Sequence, residues 1–399
     1  MTAEPGPGGP RSLYVHLPFC ERRCHYCDFA VQVGGLALQG PYVEALLHEL
    51  VTLARAAPPA RGLDTVYLGG GTPSLLPLSL LSQLLEGVQA SLGVASGAEV
   101  TLEANPSDLS PALARAWRDL GVNRVSLGVQ SLDDRTLRWL GRNHDRRAAQ
   151  LALEALLEAG LANLSCDLIY SVPDQPAEAF EASLERVLAM GVPHLSCYEL
   201  TVEPKTELWH RVHLGQVRPP SDDAALAQMR LAERTLARAG LRRYEVSNYA
   251  RPGFESRHNL AYWRGHAWLA AGCGAHGFLD RNSAARLGLG GGRPGTAVRY
   301  WNRRSARSYI RQVADLGHGR QGHEELGAAD LRLERLACGL RVRSGARLDG
   351  PGQRQRAREL ADLGLLRLHR GRAAPSDRGW ELVDAIALEL ARAAEAGAA

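Results

Sequence analysis

The chain has 399 residues, 45% hydrophobic and 23% charged, with a net charge of +4 at neutral pH. That is an ordinary globular balance with room for a large core, in more than one domain and fewer than three. The small charge carries no nucleic-acid signature, and no apolar run reaches the roughly 20 residues that span a bilayer. Lys205 is the only lysine, so nearly all positive charge is arginine. The seven cysteines are an odd number in a long chain; three cluster near the N-terminus, and Cys166, Cys197, Cys273 and Cys338 are scattered. This is not a disulfide framework. It fits a reducing, cytoplasmic compartment in which thiolates bind metal.

In chain order, residues 1–10 read as a Gly/Pro-rich disordered leader without the apolar segment of a secretory signal. Six short apolar runs follow: Leu13–Leu17, Thr65–Leu68, Val100–Glu103, Val125–Val129, Leu164–Tyr170 and Leu195–Leu200. Between them lie segments of helical period, among them Tyr42–Arg55, Leu80–Ser91, Pro111–Leu120, Ala148–Glu158 and Ala179–Ala189. Three of these end at Gly121, Gly160 and Gly191, each followed by an apolar residue, as expected where a left-handed glycine stops a helix. Strands alternating with helices predict a parallel sheet with right-handed crossovers. The fold class is therefore α/β. Six units are compatible with a partial (β/α)6 barrel of TIM-like type, and an open Rossmann-like sheet is the alternative.

After the predicted helix Asp222–Gly240, residues 244–296 form a connecting segment rich in aromatics, His and Gly. It ends in the Gly-rich stretch Gly288–Gly295. Residues 297–399 are predicted as a smaller, mainly helical domain, in which a helix, a short hairpin and another helix make a winged-helix-like pattern. The main domain is expected over 11–243, and Ala393–Ala399 is expected to fray.

In a parallel barrel the chemistry lies at the carboxyl ends of the strands. There the sequence places Cys20, Gly69-Gly70-Gly71-Thr72, Glu103, Gln130, Asp167 and Tyr198-Glu199. Cys20-x3-Cys24-x2-Cys27 sits in a tight loop after the first strand. Thiolates are the soft ligands iron–sulfur clusters need, and three of them leave one iron of a cubane open. Zinc is the rival reading, with His25 or His16 as fourth ligand. The glycine turn lets backbone approach a ligand closely, and it lacks the lysine of a phosphate-binding loop.

Tyr14-Val-His-Leu-Pro-Phe-Cys20-x3-Cys24-x-Tyr26-Cys27, followed by Gly69-Gly-Gly-Thr-Pro, resembles the radical S-adenosylmethionine (SAM) superfamily. More narrowly it is similar to the branch that holds the oxygen-independent coproporphyrinogen III oxidases and the HemW-type heme chaperones. The resemblance implies a partial barrel with a helical C-terminal domain. It also implies a 4Fe–4S cluster on Cys20, Cys24 and Cys27, and reductive cleavage of SAM to a 5′-deoxyadenosyl radical. The SAM contacts it implies are Tyr14, Tyr26, Gly70, Gly71, Thr72, Glu103, Gln130, Arg142 and Asp167. Carboxylates suit ribose hydroxyls or the ammonium group, and arginine suits the carboxylate.

The same resemblance separates two activities. The oxidases carry a fourth cysteine two residues after the third and a longer segment before the motif; here Asp28-Phe29 follows Cys27, and the motif begins near residue 14. His258-Asn259-Leu-Ala-Tyr262-Trp263 is similar to the His-Asn-x-x-Tyr-Trp motif of the chaperones. An imidazole can ligate heme iron, and Tyr and Trp can flank a porphyrin; the bland reading has His258 capping a turn and the aromatics in the core. The resemblance thus implies a heme carrier that passes heme to an acceptor protein. It implies no DNA partner and, at most, peripheral membrane contact. A coproporphyrinogen III oxidase and a radical nucleic-acid-modifying enzyme are the alternatives.

Overall fold

The computed structural model describes residues 9–290 and 296–396. The expected leader lies outside them except for Gly9 and Pro10, as do residues 291–295 of the Gly-rich stretch and 397–399 at the C-terminus.

Six parallel strands carry the fold: β1 (Ser12–Leu17), β2 (Leu63–Gly70), β3 (Val94–Ala104), β4 (Arg124–Gln130), β5 (Leu164–Tyr170) and β6 (His194–Glu199). They stand side by side in chain order. A doubly wound Rossmann-like sheet reverses its strand order at a switch point; here the order is monotonic, which is the partial barrel. The crossovers are α1 (Gln39–Ala56), α2 (Leu78–Leu92), α3 (Pro111–Asp119), α4 (Arg146–Glu158) and α5 (Ala177–Ala189), and α6 (Asp222–Arg238) follows β6.

Local chemistry explains these helices. Ser110, Asp145 and Ser221 cap α3, α4 and α6 by accepting from Leu113, Ala148 and Ala224 N–H. Helix α4 buries Ala149, Ala152, Leu153 and Leu156, spaced 3, 4 and 7 residues from the first, as one stripe against the sheet. Gly121, Gly160 and Gly191 take φ of 95°, 81° and 79° just past α3, α4 and α5, the left-handed stop the sequence suggests.

Further strands extend both edges. β7 (Asn248–Ala250) runs antiparallel to β6. At the other edge β8 (Trp268–Ala271) lies parallel to β1. From it a meander runs through β9 (His276–Asp280), β10 (Ala297–Asn302) and β11 (Arg320–Leu326). Between β7 and β8 stands the short helix α7 (Arg257–Trp263), and α8 (Ala306–Leu316) packs on α1. Position 297, where the sequence reading starts a second domain, therefore opens a strand of the main sheet. Backbone pairing of β10 with β9 outweighs the helical period that begins near residue 300.

A separate hydrophobic core does form later, drawing on Leu336, Leu340, Leu360, Leu366, Ile386 and Leu390. It lies among α9 (Ala328–Leu340), α10 (Gly350–Asp362), α11 (Val383–Ala396) and a hairpin of strands Leu366–His369 and Arg372–Pro375. This is the winged-helix-like arrangement. Arg230 of α6 clasps Glu381 with two hydrogen bonds of 2.7 Å, and the Arg243 guanidinium lies 5.4 Å over the Trp380 ring. These contacts join the smaller unit to the barrel. Among the described residues no helix is long and apolar enough to cross a membrane.

Candidate functional site

A cavity of about 420 Å³ opens at the carboxyl ends of the six strands. Its wall follows from the two-residue period of a strand. Tyr67 of β2, Glu103 of β3, Ser126, Gly128 and Gln130 of β4, Ser165, Asp167 and Ile169 of β5, and His194, Ser196 and Tyr198 of β6 all line it. On each strand these residues share one parity, and Gly70, Ala104 and Glu199, the last residues of their strands, line the cavity besides. The other parity, Val66 and Leu68, Leu102, Val125, Leu127 and Val129, Leu164, Cys166 and Leu168, and Leu195 and Cys197, is buried in the main apolar core.

The cysteine loop covers one side of the cavity. Cys20, Cys24 and Cys27 all line it, with Tyr26 between the last two. Cys27 N–H donates to the Cys24 carbonyl at 3.1 Å, a tight turn that brings the last two thiols round together. Thr72 Oγ1 donates to Cys20 Sγ at 3.5 Å, and Arg142 Nη1 to Cys24 Sγ at 3.7 Å. Burial pushes the Cys20 thiol up to about 11, against the opposing Thr72 hydrogen bond, and raises Cys27 as well. Binding iron here therefore means displacing protons.

Of the two histidines named as a fourth zinc ligand, His16 has both ring nitrogens engaged, whereas His25 keeps a buried Nδ1 without a partner. His16 Nε2 lies 2.8 Å from the Ala30 carbonyl and its Nδ1 3.0 Å from Tyr14 Oη. His25 Nε2 is held by the Trp139 carbonyl at 2.7 Å. Among the described residues no three His, Cys, Asp or Glu side chains converge to hold a single metal ion.

The glycine turn serves the cysteine loop directly. Gly71 N–H donates to Leu17 O and Thr72 N–H to Phe19 O, each 2.8 Å. A Cβ on Gly71 would meet the Pro18 carbonyl oxygen at 2.6 Å, and one on Gly70, at φ 117°, the His16 ring at 2.4 Å. Only glycine lets β2 pass this close to the segment leading into Cys20.

Two carboxyls sit in the wall. Glu103 Oε1 accepts from Tyr67 Oη–H at 2.7 Å and its Oε2 from Gly70 N–H at 2.9 Å. Burial nevertheless lifts it to about 7, and Asp167 adds to the rise. Asp167, also raised by burial, accepts from Ser126 Oγ at 3.1 Å. Arg142 is nearly enclosed. Its Nη2 donates to Asn105 Oδ1 at 2.9 Å and to Gly128 O at 3.1 Å, while its Nε is buried with no partner. Gln130 ends β4 at φ 66°, a left-handed conformation unusual for a non-glycine residue. A cation with an unsatisfied buried N–H, two carboxyls at the strand ends and three thiols around one cavity form a donor set that fits a thiolate-bound cluster with a zwitterionic ligand beside it.

Of the expected SAM contacts, Tyr26, Gly70, Gly71, Thr72, Glu103, Gln130, Arg142 and Asp167 all line the cavity. Tyr14 does not. It stands a layer below, stacked on Tyr67 at 6.1 Å between ring centroids, with its hydroxyl on His16.

The His258 motif is divided as well. Asn259 lines the cavity. His258 is 1% exposed and lies in the barrel wall, with Nδ1 2.7 Å from Thr65 Oγ1, Nε2 2.7 Å from Tyr262 Oη and its ring stacked on Tyr67 at 5.0 Å. Burial lowers it to about 3, so the ring is neutral. One nitrogen of a neutral imidazole donates and the other accepts, so both are already used. The iron-ligand role expected of His258 is not open to it in this arrangement. Tyr262 packs on Trp268 at 4.5 Å, and Trp263 hydrogen-bonds the buried Glu245. Glu99 holds the start of α7 by accepting from Arg257 and His258 N–H.

Sequence reasoning missed Tyr67, Asn105, Arg124, Ser126, Ser165, His194 and Ser196. Their signal was there: a polar residue at every second position inside apolar strands, as in Ser165-Cys-Asp167 and His194-Leu-Ser196-Cys-Tyr198.

Known proteins match over the same residues. Residues 14–187 match the profile of the radical SAM superfamily. A heme chaperone HemW of Mycobacterium tuberculosis is 39% identical over 394 residues, covering 97% of this chain and 96% of its own. One from Synechocystis is 36% identical over 363 residues, covering 89% and 84%. The solved structure of coproporphyrinogen III oxidase (HemN) from Escherichia coli, a radical SAM enzyme, superposes with a TM-score of 0.79 at 22% identity, over 97% of this chain and 91% of that one. At that identity the likeness carries the fold alone.

Proposed function

The chain belongs to the HemW family of the radical SAM superfamily, and on that premise we propose that it binds heme and passes it to an acceptor protein. In this reading Cys20, Cys24 and Cys27 hold a 4Fe–4S cluster, and SAM binds beside it. The observation that carries the cofactor half is the single cavity that gathers three thiols, Arg142, Glu103 and Asp167. The heme half rests on the relatives' names and on Phe29, which stands two residues after Cys27, where the oxidases carry a cysteine.

When bound, a cluster held by three thiolates leaves one iron free for SAM and supplies it an electron. The chain's own residues do the positioning. Arg142 offers its unpartnered Nε–H to an anionic group beside Cys24. Glu103 and Asp167 offer carboxyl oxygens to hydroxyl or ammonium donors. Tyr26, Gly70, Gly71, Thr72 and Gln130 frame the rest of the ligand, and Asn259 reaches the same space from α7. The reading places the protein in the cytoplasm, with membrane contact peripheral at most.

The test is an anaerobic hemin titration of the reconstituted full chain, followed by mixing with a heme-requiring apoprotein. Saturation near one heme per chain, and appearance of the acceptor's holo spectrum, is the expected result. Conversion of coproporphyrinogen III to protoporphyrinogen IX with SAM and a reductant would overturn the carrier reading in favour of the oxidase.

A further inference from the structure

Strand register sets polar side chains side by side on the inner wall of the barrel. Ser126 of β4 is level with Ser165 of β5, Ser165 with His194 of β6, and Asp167 with Ser196. All of them line the cavity, and among the described residues His194 is the one histidine that does. It is 1% exposed, and hydroxyls take both of its ring nitrogens. Nδ1 lies 2.7 Å from Ser165 Oγ, and Nε2 lies 2.9 Å from Tyr244 Oη. Burial holds its pKa well below the usual histidine range, and Arg124 adds to that. The ring is therefore neutral and has a single N–H to give.

The choice between the two nitrogens is made outside the cavity. Ser256, the cap of α7, donates its backbone N–H to Tyr244 Oη at 3.2 Å. A backbone N–H only donates, so the Tyr244 oxygen accepts there. Tyr244 is itself buried, and His194 Nε2 is the acceptor within reach of its hydroxyl hydrogen. The reverse arrangement, with Nε2–H donating to Tyr244, would leave that hydrogen unpaired in the interior, at the full desolvation cost of a polar group. Nε2 therefore accepts, and Nδ1–H donates to Ser165 Oγ.

Ser165 then has its own hydrogen to give. The acceptors beside it are Ser196 Oγ, at 3.4 Å, and the Asp167 carboxyl. Burial raises Asp167, and the hydroxyls of Ser196, Ser126 and Ser165 act against that rise. Hydrogen-bond donation thus runs one way, from Ser256 N–H through Tyr244, His194 and Ser165 to Asp167, directly or by way of Ser196.

We propose that His194 is a positioning residue for the ligand contact of Asp167. Held as the Nδ1–H tautomer by Tyr244 and the cap of α7, it turns the Ser165 hydroxyl into a donor and keeps the Asp167 carboxyl an acceptor for a hydroxyl or ammonium hydrogen of the ligand. The inference rests on the reading of Asp167 as a SAM contact, and it gives the helix that carries His258 and Asn259 a second connection to the cavity.

The experiment has two readouts. The full chain is labelled with heavy nitrogen at histidine and its ring nitrogens are read by NMR, with His194→Asn identifying the His194 signals. Protonated Nδ1 and bare Nε2 are expected, and Tyr244→Phe should lose that preference. SAM binding is then measured by equilibrium dialysis of the anaerobically reconstituted chain. His194→Ala should weaken it about tenfold, as for one lost hydrogen bond to a charged group. His194→Asn, whose amide can place an N–H near the Nδ1 position, should stay within about twofold of wild type. On an Asp167→Asn background His194→Ala should cost nothing further, because its effect passes through that carboxyl. Where His194→Ala does not fold, Tyr244→Phe takes its place in the same cycle. An Nε2–H tautomer in wild type, or a His194→Ala loss undiminished on Asp167→Asn, overturns the assignment while the SAM contact of Asp167 stands. Unchanged SAM affinity in Asp167→Asn removes that contact, and the positioning role with it, whichever tautomer is found.

Discussion

Tyr67 donates its hydroxyl hydrogen to Glu103 across 2.7 Å, and the back of the Tyr67 ring is stacked on His258. One aromatic thus ties a carboxyl in the cavity wall to the motif that sequence reasoning assigned to heme. The motif's first role in this fold is to support the cavity from behind.

Glu103 makes that link titratable. Its carboxyl rises in the folded chain from 4.5 to about 7, so the folded state keeps a proton that the unfolded state releases. Stability should fall as pH climbs from about 4.5 to about 7, by an amount on the order of 2–3 kcal/mol from this group. Glu103→Gln should remove that part of the slope. Urea unfolding of both proteins at pH 5 and pH 7 measures it. An identical slope in the variant would show that Glu103 does not carry the proton. The same variant should bind SAM about tenfold more weakly if the carboxyl receives a ligand donor.

Cysteine substitutions should sort cleanly by position. Replacing Cys20, Cys24 or Cys27 with Ala should abolish the cluster's visible absorbance after reconstitution. Cys166→Ala, Cys197→Ala and Cys273→Ala should leave it intact, because those side chains are buried in the main apolar core and none lines the cavity. Iron and sulfide analysis beside the spectrum checks this. A full cluster in any of the first three would refute the ligand set.

Arg142 is bonded on both sides, to Cys24 Sγ and to Asn105 and Gly128. Lysine keeps the charge and loses the fork. Arg142→Lys should retain the cluster but weaken SAM binding about tenfold, read by equilibrium dialysis of the reconstituted protein. Unchanged affinity would remove Arg142 from the ligand contacts.

Glu49 is a structural hub far from the cavity chemistry. Its carboxylate accepts from Gly272 N–H (2.9 Å), Gly319 N–H (2.8 Å), Tyr309 Oη–H (2.7 Å) and Asn302 Nδ2–H (3.0 Å). It fastens α1 to the edge meander. Glu49→Ala would strand these donors in the core and should cost about 3–5 kcal/mol. Glu49→Gln should cost less, because one carbonyl oxygen still accepts. Chemical denaturation distinguishes the two, and equal losses would indicate that burial rather than hydrogen bonding dominates.

Local chemistry made much of this protein readable from the chain. The six strands, the five crossover helices and their stop glycines follow from apolar period and backbone conformation, which a residue's near neighbours set. The Cys20, Cys24 and Cys27 spacing marked a candidate metal loop for the same reason, and the three side chains line one cavity. Glu103, Gln130 and Asp167 were found because strand ends are where a parallel barrel collects its chemistry.

Other features depend on what lies across the sheet. The edge meander reaches into residues expected to begin a second domain, since strand pairing is a long-range contact that period does not reveal. Tyr14 and His258 carry motif identities that suggested ligand contact, yet each spends its polar atoms inside the fold: Tyr14 on His16, behind Tyr67, and His258 on Tyr262 and on Thr65, 193 residues away. The sequence alone determined which residues could bind iron, SAM or heme. Only the tertiary structure decided which still have a free atom to do so, because a hydrogen bond to a partner two hundred residues away leaves no mark on the local pattern.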